Sequence, residues 1–69
     1  MANILSTISG VITEVNIAVG QSITMDDEAF IIEAMKMENV IYGEDGVVKE
    51  ILVEVGASVD ENQVLAILE

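Results

Sequence analysis

Residues 10–20 read Gly-Val-Ile-Thr-Glu-Val-Asn-Ile-Ala-Val-Gly, and residues 46–56 read Gly-Val-Val-Lys-Glu-Ile-Leu-Val-Glu-Val-Gly. Set 36 positions apart, Gly10-Val11 falls on Gly46-Val47, Glu14 on Glu50 and Val19-Gly20 on Val55-Gly56. Working outward, Ser22 meets Ser58, Ile31 meets Ile67, Glu33 meets Glu69, and Asn3-Ile4 meets Asn39-Val40. Apolar character persists where identity fails: Ile12 with Val48, Val15 with Ile51, Ile17 with Val53, Ile23 with Val59, Ile32 with Leu68. The match runs from Asn3 to Glu33 without a gap and includes both glycine pairs, which marks a structural duplication. Two copies too small to fold alone must bury their apolar faces against each other, about an approximate two-fold axis. The halves span residues 3–33 and 39–69, and Ala34-Met35-Lys36-Met37-Glu38 is the join.

Within each half the apolar residues alternate or run in short blocks. Ile51-Leu52-Val53-Glu54-Val55 and its mate Val15-Asn16-Ile17-Ala18-Val19 each place three apolar side chains on one face, as strands do. Phe30-Ile31-Ile32 and Val64-Leu65-Ala66-Ile67-Leu68 are apolar blocks suited to buried strands. Asp45-Gly46 reads as a tight turn, Gly20 and Gly56 as strand ends, and Asp26-Asp27 and Glu61-Asn62 as polar turns. No helical period exceeds one turn. The expectation is an all-β fold of about eight short antiparallel strands in two packed four-stranded sheets. That is a sandwich or flattened barrel with internal pseudo-two-fold symmetry, a barrel-sandwich hybrid.

Composition narrows the chemistry. A chain of 69 residues makes one domain, 1–69, and its 52% hydrophobic content argues for a packed core. The apolar residues are mostly Ile, Val and Leu, a bias toward strands. Cysteine and histidine are both absent, which removes disulfides, thiolate metal sites and the usual nucleophile–base pairs. A metal site is not expected: Asp26, Asp27, Glu28, Asp60 and Glu61 match no calcium-loop spacing and read as turn and surface residues. The formal net charge is −11, with Lys36 and Lys49 the only cationic side chains. Nucleic acid and anionic membrane surfaces would repel such a chain. With no membrane-span-length apolar run and no signal-peptide plan at its start, a cytoplasmic protein is expected.

The join carries the remaining chemistry. A hairpin turn at Met35-Lys36, between an apolar block and Asn39-Val40-Ile41-Tyr42, would project the lysine into solvent. Large apolar side chains flank it in a turn expected to be exposed, and methionine adapts to partner surfaces. The competing reading packs the two methionines on the barrel edge and leaves Lys36 a solvated charge.

Glu33-Ala34-Met35-Lys36-Met37-Glu38-Asn39 resembles the attachment motif of the biotinyl domains of biotin-dependent carboxylases, decarboxylases and transcarboxylases, with Ala-Met-Lys-Met its most specific part. The resemblance extends over essentially the whole chain, including the duplicated halves and the turn glycines Gly20, Gly46 and Gly56. It implies a non-catalytic biotin carboxyl carrier with biotin bound covalently on Lys36. Ala34, Met35, Met37 and Glu38 are then the flanks read by a biotin protein ligase. It further implies that the carrier moves CO2 between a biotin carboxylase and a carboxyltransferase. Attachment would remove the lysine charge and leave a formal −12.

The chain departs from many such domains at Ile8-Ser9-Gly10, where they have a Pro-Gly turn. The gapless repeat leaves no room for the protruding thumb of some acetyl-CoA carboxylase carriers. The chain is therefore similar to the thumbless carriers of acyl-CoA, pyruvate or oxaloacetate chemistry. No Ala/Pro-rich linker precedes it, and it reads as an independent carrier or a domain excised behind an added Met1. Two alternatives share the fold: a lipoyl carrier, which typically has other residues at the positions of Met35 and Met37, and an unmodified binding module, which would not need Lys36.

Overall fold

The computed structural model describes residues 2–69; the proposed added Met1 lies outside the described residues. Eight strands follow one another: β1 (Ala2–Leu5), β2 (Gly10–Val15), β3 (Ser22–Ile23), β4 (Glu28–Ala34), β5 (Met37–Tyr42), β6 (Gly46–Ile51), β7 (Ser58–Val59) and β8 (Val64–Leu68). They form two four-stranded antiparallel sheets, ordered β1-β8-β6-β3 and β5-β4-β2-β7. The described residues contain no helix.

Exchanging each strand for the one four places away converts one sheet order into the other. The two-fold relation reaches individual hydrogen bonds. The Gly20 amide donates to the Val48 carbonyl at 2.7 Å, and its mate Gly56 donates to Ile12 at 2.8 Å. Ile12 N donates to Ala57 O and Val48 N to Gln21 O, while Asn16 N donates to Ala29 O and Leu52 N to Leu65 O. Even the bulges repeat, between Ile12 and Glu14 in β2 and between Val48 and Glu50 in β6. Several of these bonds join one half to the other, so neither half satisfies its backbone alone.

Alternating side chains from both sheets meet between them. Ile4, Ile23, Val48, Leu65 and Leu68 come from one sheet, and Ile12, Phe30, Ile32, Ile41 and Val59 from the other. Each large side chain moved from water into this interior contributes roughly 1.5–3 kcal/mol against chain entropy.

Three local expectations need correction. The strands expected at 15–19 and 51–55 end at Val15 and Ile51 and lie mainly before those residues. Beyond these points the chain leaves one sheet for the other, so it stays extended but loses regular pairing. The alternation holds through the buried Ile17 and half-buried Val53, then fails at Val19 and Val55, which are 64% and 63% exposed. Gly20 and Gly56 do not end strands; they sit in the connecting turns with φ of 91° and 94°. Asp45-Gly46 is not a hairpin turn either. β5 and β6 belong to different sheets, so the segment crosses between them, and Gly46 opens β6.

Candidate attachment site

β4 lies inside its sheet, with β5 on one side and β2 on the other. Phe30, Ile32 and Ala34 alternate inward along it, which anchors the strand by burial. β5 returns antiparallel, paired from Glu28↔Tyr42, across an irregularity between Glu28 and Phe30, up to Ala34↔Met37. That last pair leaves Met35 and Lys36 as the whole of a two-residue loop.

Both loop residues have positive φ, 55° at Met35 and 64° at Lys36. This is the turn whose hand matches the twist of paired strands, and it normally selects Asn-Gly. Met and Lys pay a steric penalty there, of order 1–3 kcal/mol per residue. Strain of this kind persists only where the surroundings over-determine it, here six cross-strand pairs in a strand held on both edges.

The structure brings all five predicted site residues together, since they are consecutive around one turn. Met35 is 90% exposed and Met37 67%, and Lys36 and Glu38 also face solvent. The methionines therefore do not pack on the barrel edge. Ala34 is buried beneath the turn. Glu33 and Glu38 are exposed cross-strand partners, so two carboxylates oppose each other one step behind Ala34 and Met37. Lys49, the other cation, is exposed on β6 in the other sheet.

Two supporting residues had no assigned role. The Asn39 side-chain amide donates to the carbonyls of Ile32 (3.4 Å) and Met37 (3.3 Å), tying the strands at the hairpin base. Gly10 passes beside β4 so closely that an added Cβ would strike the Glu33 carbonyl, with Ile32 Cγ2 at 2.7 Å and Ala34 Cβ at 3.1 Å. The repeat signals Gly10, whose mate Gly46 lies as tightly on the Glu69 carbonyl, at 2.7 Å. Nothing in the sequence signals the reach of Asn39.

Chemically the site offers one exposed primary amine on a rigid, strained projection with apolar shoulders. It has no neighbouring histidine or cysteine. Such an arrangement can present a nucleophile at the protein surface.

The chain is similar to known proteins over nearly its whole length. The biotin–lipoyl family model, described as biotin-requiring enzyme, matches residues 2–68. The biotin-dependent acyl-coenzyme A carboxylase alpha3 subunit of Mycobacterium leprae (strain TN) is 33% identical over 64 residues, which cover 91% of this chain and 11% of that protein. The urea carboxylase of Kluyveromyces lactis superposes with a TM-score of 0.87 at 30% identity, over 99% of this chain and 6% of that one. A single-chain, multi-domain long-chain acyl-CoA carboxylase shares the fold at a TM-score of 0.85 and 24% identity, over 94% of this chain and 7% of that one. The succinylglutamate desuccinylase/aspartoacylase of Rhodobacter sphaeroides shares the fold at a TM-score of 0.69 and 20% identity, over 97% and 21%. This chain thus spans only a small part of each of these relatives. On the match over residues 2–68, the chain belongs to the biotin–lipoyl family.

Proposed function

We propose that the chain is a biotin carboxyl carrier domain, with Lys36 the residue that accepts biotin. The observation that carries this reading is the exposed Met35-Lys36 turn, whose two bulky residues sit in a strained backbone that Asn-Gly would occupy freely. A structural turn gains nothing from that choice, whereas a site read by another protein gains a fixed amine between two apolar handles. The M. leprae carboxylase subunit supports biotin over lipoate.

The chain's own part in attachment is limited and definable. The hairpin holds the Lys36 Nζ in solvent, where its lone pair can form an amide with an activated biotinyl acyl group. The acyl–phosphate bond breaks as the adenylate leaves, and the Nζ proton passes to a base of the biotin protein ligase. The chain holds neither histidine nor cysteine to take that proton, so the base belongs to the ligase. Bound biotin supplies a ureido ring able to hold a carboxyl group in transit. The domain then provides a rigid base, a flexible tether and a high effective concentration at two successive sites, a biotin carboxylase and a carboxyltransferase. The reading includes a cytoplasmic setting.

Intact mass after co-expression with a biotin protein ligase and free biotin tests it, with Lys36→Arg and Lys49→Arg alongside. One biotinyl increment that survives Lys49→Arg and vanishes in Lys36→Arg is expected. No increment, or a lipoyl increment under a lipoyl ligase instead, overturns the reading.

A further inference from the structure

Beside the hairpin lies a cleft of about 320 Å³ lined by Thr7, Ile8, Ser9, Ala34, Met35 and Glu61. We propose that this cleft is the resting site for the ureido ring of biotin carried on Lys36; the inference rests on the attachment reading above.

Its location provides the first argument. Ala34 and Met35 form one wall, and Met35 is bonded to Lys36, so the tether holds the ring close to the opening. Tethering replaces free ligand with a high local concentration, so even a weak site is occupied. The volume lies at the lower end of small-molecule sites, which run about 300–1,000 Å³.

The lining suits the ring. Ile8, Ala34 and Met35 offer apolar surface to its thioether half. The ureido half has two N–H donors and one carbonyl acceptor. The Glu61 carboxylate can accept from the donors, and the Thr7 and Ser9 hydroxyls can donate to the carbonyl. A lipoyl ring has no ureido group and would leave these partners unused.

The symmetry mate of this cleft is also open, lined in part by Met25, Gly43 and Glu44. The repeat preserves turn glycines, bulges and backbone hydrogen bonds, yet it departs at this cleft. Thr7, Ile8, Ser9 and Glu61 stand where the other half has Gly43, Glu44, Asp45 and Met25. The fold therefore tolerates other residues at all four positions.

The cleft is also preformed. Ser6 N donates to Gln63 O at 2.9 Å, Asn62 N to Ser6 O at 2.7 Å, and Glu61 N to Ser9 Oγ at 3.1 Å. These bonds hold the loop at 6–9 against the turn that carries Glu61. Resting there shields the ring between visits, weakly enough for enzyme sites to compete for it.

The test is two-dimensional ¹H–¹⁵N NMR of loaded and unloaded protein, with loading verified by intact mass. Loading is expected to shift the amides of Thr7, Ile8, Ser9 and Glu61 as well as those of residues 35–38, and to give contacts from the thioether-ring protons to the Ile8 methyls. In Thr7→Val/Glu61→Ala, loaded to the same mass, the cleft shifts and ring contacts should disappear while the hairpin shifts remain. Full loading with shifts confined to the hairpin, or cleft shifts that persist in the variant, overturns the resting site alone. Failure to load overturns the attachment reading, and the resting site with it.

Discussion

Met35 and Lys36 are the two central residues of one turn and both have left-handed backbones, with φ of 55° and 64°. Neither is a residue type that adopts this conformation readily. The turn thus holds two exposed side chains in a backbone that works against the stability of the hairpin.

Met35→Asn combined with Lys36→Gly should therefore stabilise the protein while abolishing loading. Relief of about 1–3 kcal/mol at each of the two strained residues corresponds to a rise in Tm of about 8 °C or more, since 1 kcal/mol moves a domain this small by roughly 4–8 °C. Thermal denaturation followed by circular dichroism measures it. An unchanged or lower Tm would show that the turn stores no strain.

Gly10→Ala should destabilise by about 1–3 kcal/mol, as overpacking does, because the new methyl has no room between Ile32, Glu33 and Ala34. Urea denaturation reports the loss. Its mate Gly46→Ala should cost more, since its methyl meets the Glu69 carbonyl and its φ of 150° disfavours any L side chain. Only the first should speed hydrogen exchange at residues 33–37, because only Gly10 lies under the hairpin.

Phe30 is the one phenylalanine and is fully buried in the strand that leads to the turn. Truncation to Ala should cost about 3–5 kcal/mol. At about 0.05–0.15 kcal/mol per residue the whole domain holds a net stability of the same order. Phe30→Ala should consequently populate the unfolded state heavily, seen as collapse of amide dispersion in NMR. Retention of a sharp, native spectrum would contradict the packing described.

Thirteen acidic side chains against two cationic ones make self-repulsion a general cost of the compact state. At about 0.01 M salt the Debye length is about 30 Å, close to the molecule's 32 Å long axis; at about 0.15 M it is about 8 Å. Raising salt over this range should raise Tm. The increase should be larger for the biotinylated form, which loses the Lys36 charge beside the opposed Glu33 and Glu38 carboxylates.

The sequence alone determined the eight-strand plan, the two-fold relation and the place of Lys36 at the join. It could do so because a duplicated chain repeats the same apolar periodicity and the same glycines, and because period two has one geometric meaning in a half-buried strand. The stretch that resembles an attachment motif is equally local, five consecutive residues around one turn.

Sheet membership was decided by tertiary structure. Val15–Val19 and Ile51–Val55 alternate like strands, yet each begins as the chain leaves its sheet, because extended crossovers between sheets share the same period. Asp45-Gly46 has the residues of a hairpin turn, but which strands it joins depends on pairing partners distant in sequence. The contact beneath Gly10, the reach of Asn39 and the cleft between residues 7–9 and Met35 arise only when segments far apart in the chain are packed together. Local sequence encodes backbone preference and side-chain period; the spaces between elements belong to the assembled fold.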